Sequence, residues 1–374
     1  MAPTRQLVKV MAVVVVLAVL STACAGSKGA EPTTNTVETA STAASTAETV
    51  STTAPSTATT DGNQPATAKT RVLLLTENPI GDSAYFGSGK RGLERAAADF
   101  GIETGIIEAA SDPTSRSDAL RGAVLEDWDL IVLMSFAFND SLTEVAPEHP
   151  DLQFICVDCT VDAPNVLNLD FRTQEAAYLE GLIAGRLTET NIIGSVLAID
   201  IPYLHRWVDP YYNGALEVNP DLTPLDPLVV GSFDDPVTAK ELALTVAGQG
   251  ADIVNGLAAT GNVGVFEAAQ EADFLSFGVD VNQCGEAPGH IIENVVKRVD
   301  EVVYRSIESF LNGEKLGTFA SFGLAENGVG LSQFIEDGPT GCVFADHPEL
   351  FDEILAAQQA IIDGSIVIPD PAAG

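Results

Sequence analysis

Aromatic, acidic and amide side chains recur together in short segments of this chain, each directly behind a run of β-branched and aliphatic residues. Residues 77–86 hold Asp82, Tyr85 and Phe86; residues 135–140 hold two phenylalanines, Asn139 and Asp140. Asp158 stands directly behind the apolar run 153–157. Farther on come Tyr203 and Trp207, then Thr260, Gly261 and Asn262, then Asp280, Asn282 and Gln283. These types suit recognition of a flat polar ring that bears hydroxyls. Aromatic faces stack on such a ring, while carboxylates and amides take its hydrogen-bonding edges.

Bond-breaking chemistry finds less support. The sequence shows no nucleophile elbow, no paired nucleophile and base, and no glycine-rich phosphate loop of the Walker type, so no enzyme activity and no cofactor are expected. Its four histidines are scattered without metal-ligand spacing. Cys156-x-x-Cys159 could mimic half of a metal site, but no second such pair accompanies it. Buried thiols or a structural disulfide suit it better. With Cys24 set aside, Cys156, Cys159, Cys284 and Cys342 are an even number, and three pairings are open.

The elements that must position these groups can be read from hydrophobic spacing. Strand-like runs fall at 72–76, 130–135, 153–157, 192–199, 228–230, 252–256 and 275–279. Helical spacing fills 87–100, 115–126, 175–188, 236–248 and 263–272. A longer helical pattern over 291–312 ends at Gly313, a C-terminal cap. Strand and helix in alternation predict an α/β fold with parallel sheets, and the alternation resumes past Asp170, which predicts two similar lobes. Ligands of such sheets sit beyond the carboxyl ends of the strands, where the aromatic and acidic segments lie. Gly181-x-x-x-Gly185 falls inside a helical pattern and is expected to serve close packing.

Charge narrows the partners. The chain has 18 Lys and Arg against 53 Asp and Glu, a net charge of −35. Nucleic acid and anionic lipid headgroups are excluded as general partners. The acids are spread along the chain, as on a solvated surface.

The amino terminus reads as an export signal. Arg5 and Lys9 precede an apolar run over 10–20, then Ser21-Thr22-Ala23-Cys24. The run is too short for a permanent membrane helix, which needs about 20 residues. Small residues ending in cysteine resemble the lipobox of bacterial lipoproteins, with Cys24 the lipidated first residue of the mature chain. Leu20 stands one place early for that box, and Ala23-Cys24-Ala25 also fits ordinary signal peptidase. Residues 1–23 are therefore expected to be a signal peptide. Residues 24–69, rich in Thr, Ser and Ala, are expected to form a disordered tether to the outer face of the membrane.

Four segments resemble, in order, those of the basic membrane protein (BMP) family, substrate-binding lipoproteins of ABC importers that include the purine-nucleoside receptor lipoprotein. They are the stretch from Asn168 to Gly185, the stretch from Ile201 to Ala215, Gly278-Val279-Asp280-Val281-Asn282-Gln283, and Val295-Val296-Lys297-Arg298-Val299-Asp300. The resemblance covers about residues 71–334. It implies a type I periplasmic-binding-protein fold: two Rossmann-like lobes joined by a three-segment hinge. The folded body is expected at 70–374, with a first lobe near 70–170 plus 288–320 and a second near 171–287 plus the C-terminal segment.

The resemblance also implies roles. Asp280 and Lys297, the latter placed on a helix, would hold ribose hydroxyls; a helix cap and a solvated helix face are the structural alternatives. Asp82 matches the acid of the family's first loop and Asp158 an acid at a strand end. Tyr85 and Phe86 stand where the family has Phe and Asn, a departure that bears on reading of the base. Tyr85, Phe86 and Trp207 are candidates to stack on the base, or else core aromatics, and Gly261 joins the ligand set. The expected function is capture of a nucleoside, purine favoured, by a lipid-anchored monomer that delivers it to an ABC permease. Binding of a sugar or signalling furanose, and ligand sensing, are alternatives on the same fold. A nucleoside hydrolase would need a D-x-D-x-x-x-D-D run that this sequence lacks.

Overall fold

The computed structural model describes residues 69–373. Cys24, the export signal and the tether lie outside the described residues. The chain begins with β1 (Arg71–Thr76), α1 (Ala84–Phe100), β2 (Glu103–Glu108), α2 (Pro113–Ala123), β3 (Leu130–Met134), α3 (Asn139–Val145), β4 (Gln153–Val157) and β5 (Val166–Phe171). It continues through α4 (Thr173–Leu187), β6 (Ile192–Leu197), α5 (Pro202–Val218), β7 (Thr223–Pro224), β8 (Leu228–Val229), α6 (Pro236–Gly248), β9 (Ile253–Leu257), α7 (Asn262–Ala272) and β10 (Ser276–Asp280). Then follow β11 (Ile291–Lys297), α8 (Val299–Leu311), β12 (Phe319–Phe322), β13 (Val329–Leu331), α9 (Ser332–Ile335) and α10 (Phe351–Ile362).

Two sheets define two lobes. The first has the order β12-β5-β4-β3-β1-β2, and every pairing is parallel. In the second, β6 pairs with β7, β8 and β9, all parallel. A parallel bridge between Ile253 and Leu275 joins this group to β10, which pairs with β11, and β13 adds antiparallel to β11. The central strand β3, Leu130–Met134, is wholly apolar and buried, because helices cover both faces. The chain crosses between sheets three times: from β5 into α4, from β11 into α8, and from β12 to β13. Arg172 ties the first and third of these crossings together. Its backbone N–H bonds the Phe322 carbonyl, and its guanidinium bonds Glu175, Glu326 and the Ser321 carbonyl.

The alternation of elements and the parallel sheets agree with the sequence. One prediction fails: residues 291–312 are not a single helix. Residues 291–297 are strand β11, and the helix starts only at Val299. All seven β11 residues are buried, so no face alternation marks them as strand, and a short buried apolar run has no diagnostic period. This also corrects the lobe boundary, since residues 288–297, expected with the first lobe, lead into and form a strand of the second sheet. Gly313 follows the helix with φ of +70°, the left-handed form expected of a cap. Strand β2 escaped prediction because it is an edge strand with its polar residues exposed.

The four described cysteines form two disulfides, Cys156–Cys159 and Cys284–Cys342. The first closes a turn behind β4. The second ties the loop after β10 to the segment before α10.

Candidate binding cleft

Strand ends of both sheets converge on one cavity of about 380 Å³. Four of its lining residues carry a side chain at positive φ: Ser135 (105°), Asp158 (60°), Ala259 (52°) and Asp280 (67°). Each stands at or just behind the carboxyl end of a strand. L-residues adopt this backbone at a cost of order 1 kcal/mol, and it concentrates where side chains must be aimed at a ligand.

At one end of the cavity, Lys297 closes β11 with its side chain only 2% exposed. Its ammonium pairs with Asp158, 5% exposed, and donates to the Tyr203 hydroxyl at 2.8 Å. Tyr85 donates to the same Asp158 oxygen, Oδ2, at 2.8 Å. The other oxygen, Oδ1, is buried without a partner among the described residues. The ammonium also lies 4.8 Å from the ring centres of Tyr85 and Phe171, within cation–π range. Burial works against its charge, but the charge of Asp158, with Tyr203 and Asp280, more than offsets this and holds its pKa above the ordinary value. Asp280, half-buried beside this cluster, is pushed up to about 6: burial raises it, Lys297 opposes, and Asp158 adds to the rise. Burial raises Tyr85 and Tyr203 too, so both stay neutral donors near neutrality.

Phe86, Phe136, Tyr203, Trp207 and Phe233 give the cavity aromatic walls. Phe86 and Trp207 are 7% and 4% exposed, their rings packed into the core around the cavity. The remaining lining includes Glu77, Arg116, Ser135 and Asp234. Glu77 is raised above its ordinary value, chiefly by burial, against the lowering effect of a Ser135 hydrogen bond and of Arg116. Among the described residues, no group of three or more His, Cys, Asp or Glu could hold a metal ion.

Six expected site residues come together here: Tyr85, Phe86, Asp158, Trp207, Asp280 and Lys297 all line the cavity. Two do not. Asp82 is exposed in the turn before α1, outside the lining, and Ser83 rather than Asp82 caps that helix. Gly261 is buried beneath the lining residues Ala259 and Thr260, its N–H bonded to the Ala258 and Phe233 carbonyls. Lys297 corrects its expected setting, since it ends a strand and is neither helical nor solvated. Asp280 ends β10 and caps no helix. Sequence reasoning missed Arg116 and Asp234. Asp234 lies five residues past the strand β8, a signal present but unread; Arg116 lies on a helix, where spacing alone says nothing of a cleft.

Two Rossmann-like lobes, three crossings and a cavity lined by the strand ends of both sheets define a type I periplasmic solute-binding protein. The chain belongs to the family of ABC transporter substrate-binding proteins described as PnrA-like, which it matches over residues 69–371. An uncharacterized lipoprotein of Pyrococcus abyssi is 31% identical over 277 residues, which span 70% of this chain and 69% of the relative. The ABC transporter nucleoside-binding protein BmpA of Lactococcus lactis is 27% identical, over 80% of this chain and 88% of its own length. Among solved structures, an ABC transporter system solute-binding protein of Aeropyrum pernix superposes with a TM-score of 0.71 at 27% identity, over 80% of this chain and 94% of its own.

Proposed function

We propose that this chain is a lipid-anchored receptor that captures a neutral nucleoside, a purine by preference, on the outer face of the membrane and passes it to an ABC permease. The observation that carries this reading is the pairing of aromatic walls with the Lys297–Asp158–Asp280 cluster in one cavity. A base fits between rings. Vicinal ribose hydroxyls can donate to Asp280 and accept from the Lys297 ammonium. One cation against two acids at that end disfavours a phosphate, which points to nucleosides over nucleotides. The nucleoside named for the Lactococcus lactis relative supports the same class. The cleft is read as a binding site without chemistry, closed by hinge motion around its ligand. Stacking plus a few hydrogen bonds in a dry cleft corresponds to about −8 to −11 kcal/mol, submicromolar affinity.

Titration calorimetry with a nucleoside panel and a sugar panel tests the reading. Nucleosides are expected to bind and Asp280→Ala to weaken them more than tenfold. Binding of ribose or another sugar with no response to nucleosides would replace the reading by a sugar receptor, since the same polar cluster grips any vicinal diol.

A further inference from the structure

The cavity has a second polar region that the hydroxyl-gripping cluster leaves unused. Glu77 follows β1 and Arg116 sits in the first turn of α2, with side chains 18% and 14% exposed. Arg116 Nη1 lies 3.9 Å from Glu77 Oε2 and also donates to the Ser111 carbonyl, while Nε is buried without a partner among the described residues. Asp234, on the loop behind β8, contributes a second acid from the other sheet, close enough for its charge to act on Glu77. In the first sheet β3 lies between β1 and β4, so Glu77 and Asp158 start from strand ends about 10 Å apart. In the second sheet β6 and β9 lie between β8 and β10, which separates Asp234 from Asp280 in the same sense. The two polar regions therefore start two strands apart in the first sheet and three strands apart in the second, on one cavity whose lining also carries Phe86, Phe136 and Trp207. A nucleoside spans such a distance with its sugar at one end and the far edge of its base at the other.

We propose that Glu77 and Arg116 read the far edge of a 6-oxopurine, so that the cleft selects guanosine and inosine over adenosine. The proposal rests on the nucleoside reading and adds the identity of the base. Guanine offers two adjacent donors, N1–H and the N2 amino group, which match the two oxygens of one carboxylate. Its O6 is an acceptor for the Arg116 guanidinium, which lines the cavity. Hypoxanthine keeps O6 and N1–H and loses one donor. Adenine turns an N1 lone pair toward the Glu77 carboxylate and a donor toward Arg116, and both contacts are repulsive. A buried polar group left against the wrong partner discriminates more strongly than lost apolar contact. Two acids against one cation also make this end a poor site for a phosphate or carboxylate group. The base-reading amide missing from the first loop, where Phe86 stands, thus has a replacement on neighbouring elements.

The test is calorimetry of the purified full-length protein with guanosine, inosine and adenosine, for wild type, Glu77→Gln and Arg116→Met. Wild type is expected to bind guanosine at least tenfold tighter than adenosine. Glu77→Gln loses one of the two acceptors that meet guanine and gains a donor for adenine N1, and is expected to shrink that ratio at least tenfold by weakening guanosine. Arg116→Met is expected to weaken guanosine and inosine alike, having removed the donor to O6. Asp280→Ala, at the sugar end, should weaken all three nucleosides and leave the ratio in place. Thermal unfolding checks that each variant is folded; if Glu77→Gln is not, unchanged guanosine affinity in Arg116→Met overturns the proposal. Nucleoside binding with the same guanosine-to-adenosine ratio in wild type and Glu77→Gln overturns this proposal alone. Absence of binding by any nucleoside overturns the nucleoside reading and this proposal with it.

Discussion

Lys297 and Asp158 are 139 residues apart in the chain and belong to different sheets, yet they form a buried ion pair across the cleft. The pair joins the end of β11 to the end of β4, and Tyr85 and Tyr203 bond it from either lobe. Asp158→Asn would leave the buried ammonium without its paired carboxylate, with only Asp280 nearby. Loss of one partner of such a pair typically costs about 3 kcal/mol or more. The unfolding free energy from urea melts is expected to fall by about that amount. Adding Lys297→Met should restore much of it, because the unpaired charge is gone. Strictly additive losses in the double variant would show that the two groups are not coupled.

Half-buried Asp280 and buried Glu293 give stability a definite pH dependence. Asp280 is raised from 3.8 to about 6 and Glu293 from 4.5 to about 7, in both cases mainly by burial. A raised acid holds its proton in the folded chain after the unfolded chain has released it. Stability from these groups is therefore greatest below the unfolded values and falls as pH rises through about 4 to 7. The denaturation midpoint of wild type should drop over that window relative to Asp280→Asn/Glu293→Gln. Parallel curves for the two proteins would mean that neither group titrates out of register with the unfolded chain. Ligand binding runs the other way if Asp280 accepts hydroxyls as a carboxylate: affinity should rise from pH 5 to 7 and be flat in Asp280→Asn.

Much of this fold was legible because parallel strands between helices leave a strong pattern. Val72–Leu75 and Leu130–Met134 are buried apolar runs flanked by amphipathic helices, the pattern of a parallel sheet covered on both faces. The same burial hid β11. Ile291–Lys297 carries Glu293 and Asn294 among its aliphatics, and it packs on both sides, so neither period shows. The candidate site was legible where residues sit just behind strands, as Asp158 and Asp280 do. It was illegible at Arg116, which reaches the cavity from α2 with no motif to mark it, whereas the family resemblance marked Tyr85, Phe86 and Trp207 on α1 and α5. Asp82 lies outside the lining for a related reason. Motif matching fixed its loop but not its direction, and the turn at Gly81, with φ of +42°, leaves Asp82 exposed.

The two disulfides should differ in weight. Cys284–Cys342 spans a sequence separation of 58, whereas Cys156–Cys159 spans 3. In the chain-entropy view a cross-link stabilises by restricting the unfolded chain, by about 4 kcal/mol for a loop of the first size and about 2 kcal/mol for the second. Paired Cys→Ala variants measured by denaturant unfolding should preserve that order. A larger loss from Cys156→Ala/Cys159→Ala would place the importance of that bridge in the folded turn behind β4, next to Asp158.

Glycine-to-alanine changes should have opposite signs at two helical positions, which separates packing from propensity. Helices α4 and α5 cross so closely that a Cβ on Gly181 would strike the Tyr211 carbonyl and one on Gly214 the Tyr178 carbonyl. At Gly185 a Cβ would come within 2.5 Å of the Ala215 carbonyl. Backbone atoms cannot swing aside, so the helices must separate. Overpacking of this kind costs about 1–3 kcal/mol. Gly122, in the last turn of α2, is exposed, and a Cβ there meets nothing within 4 Å. Alanine at that position gains helix propensity, about 0.5–1 kcal/mol. Thermal melts should therefore show Gly181→Ala below wild type and Gly122→Ala above it. A neutral Gly181→Ala would mean that α4 and α5 can part freely. Since α5 carries Tyr203 and Trp207 into the cleft, that freedom would also loosen the cavity wall.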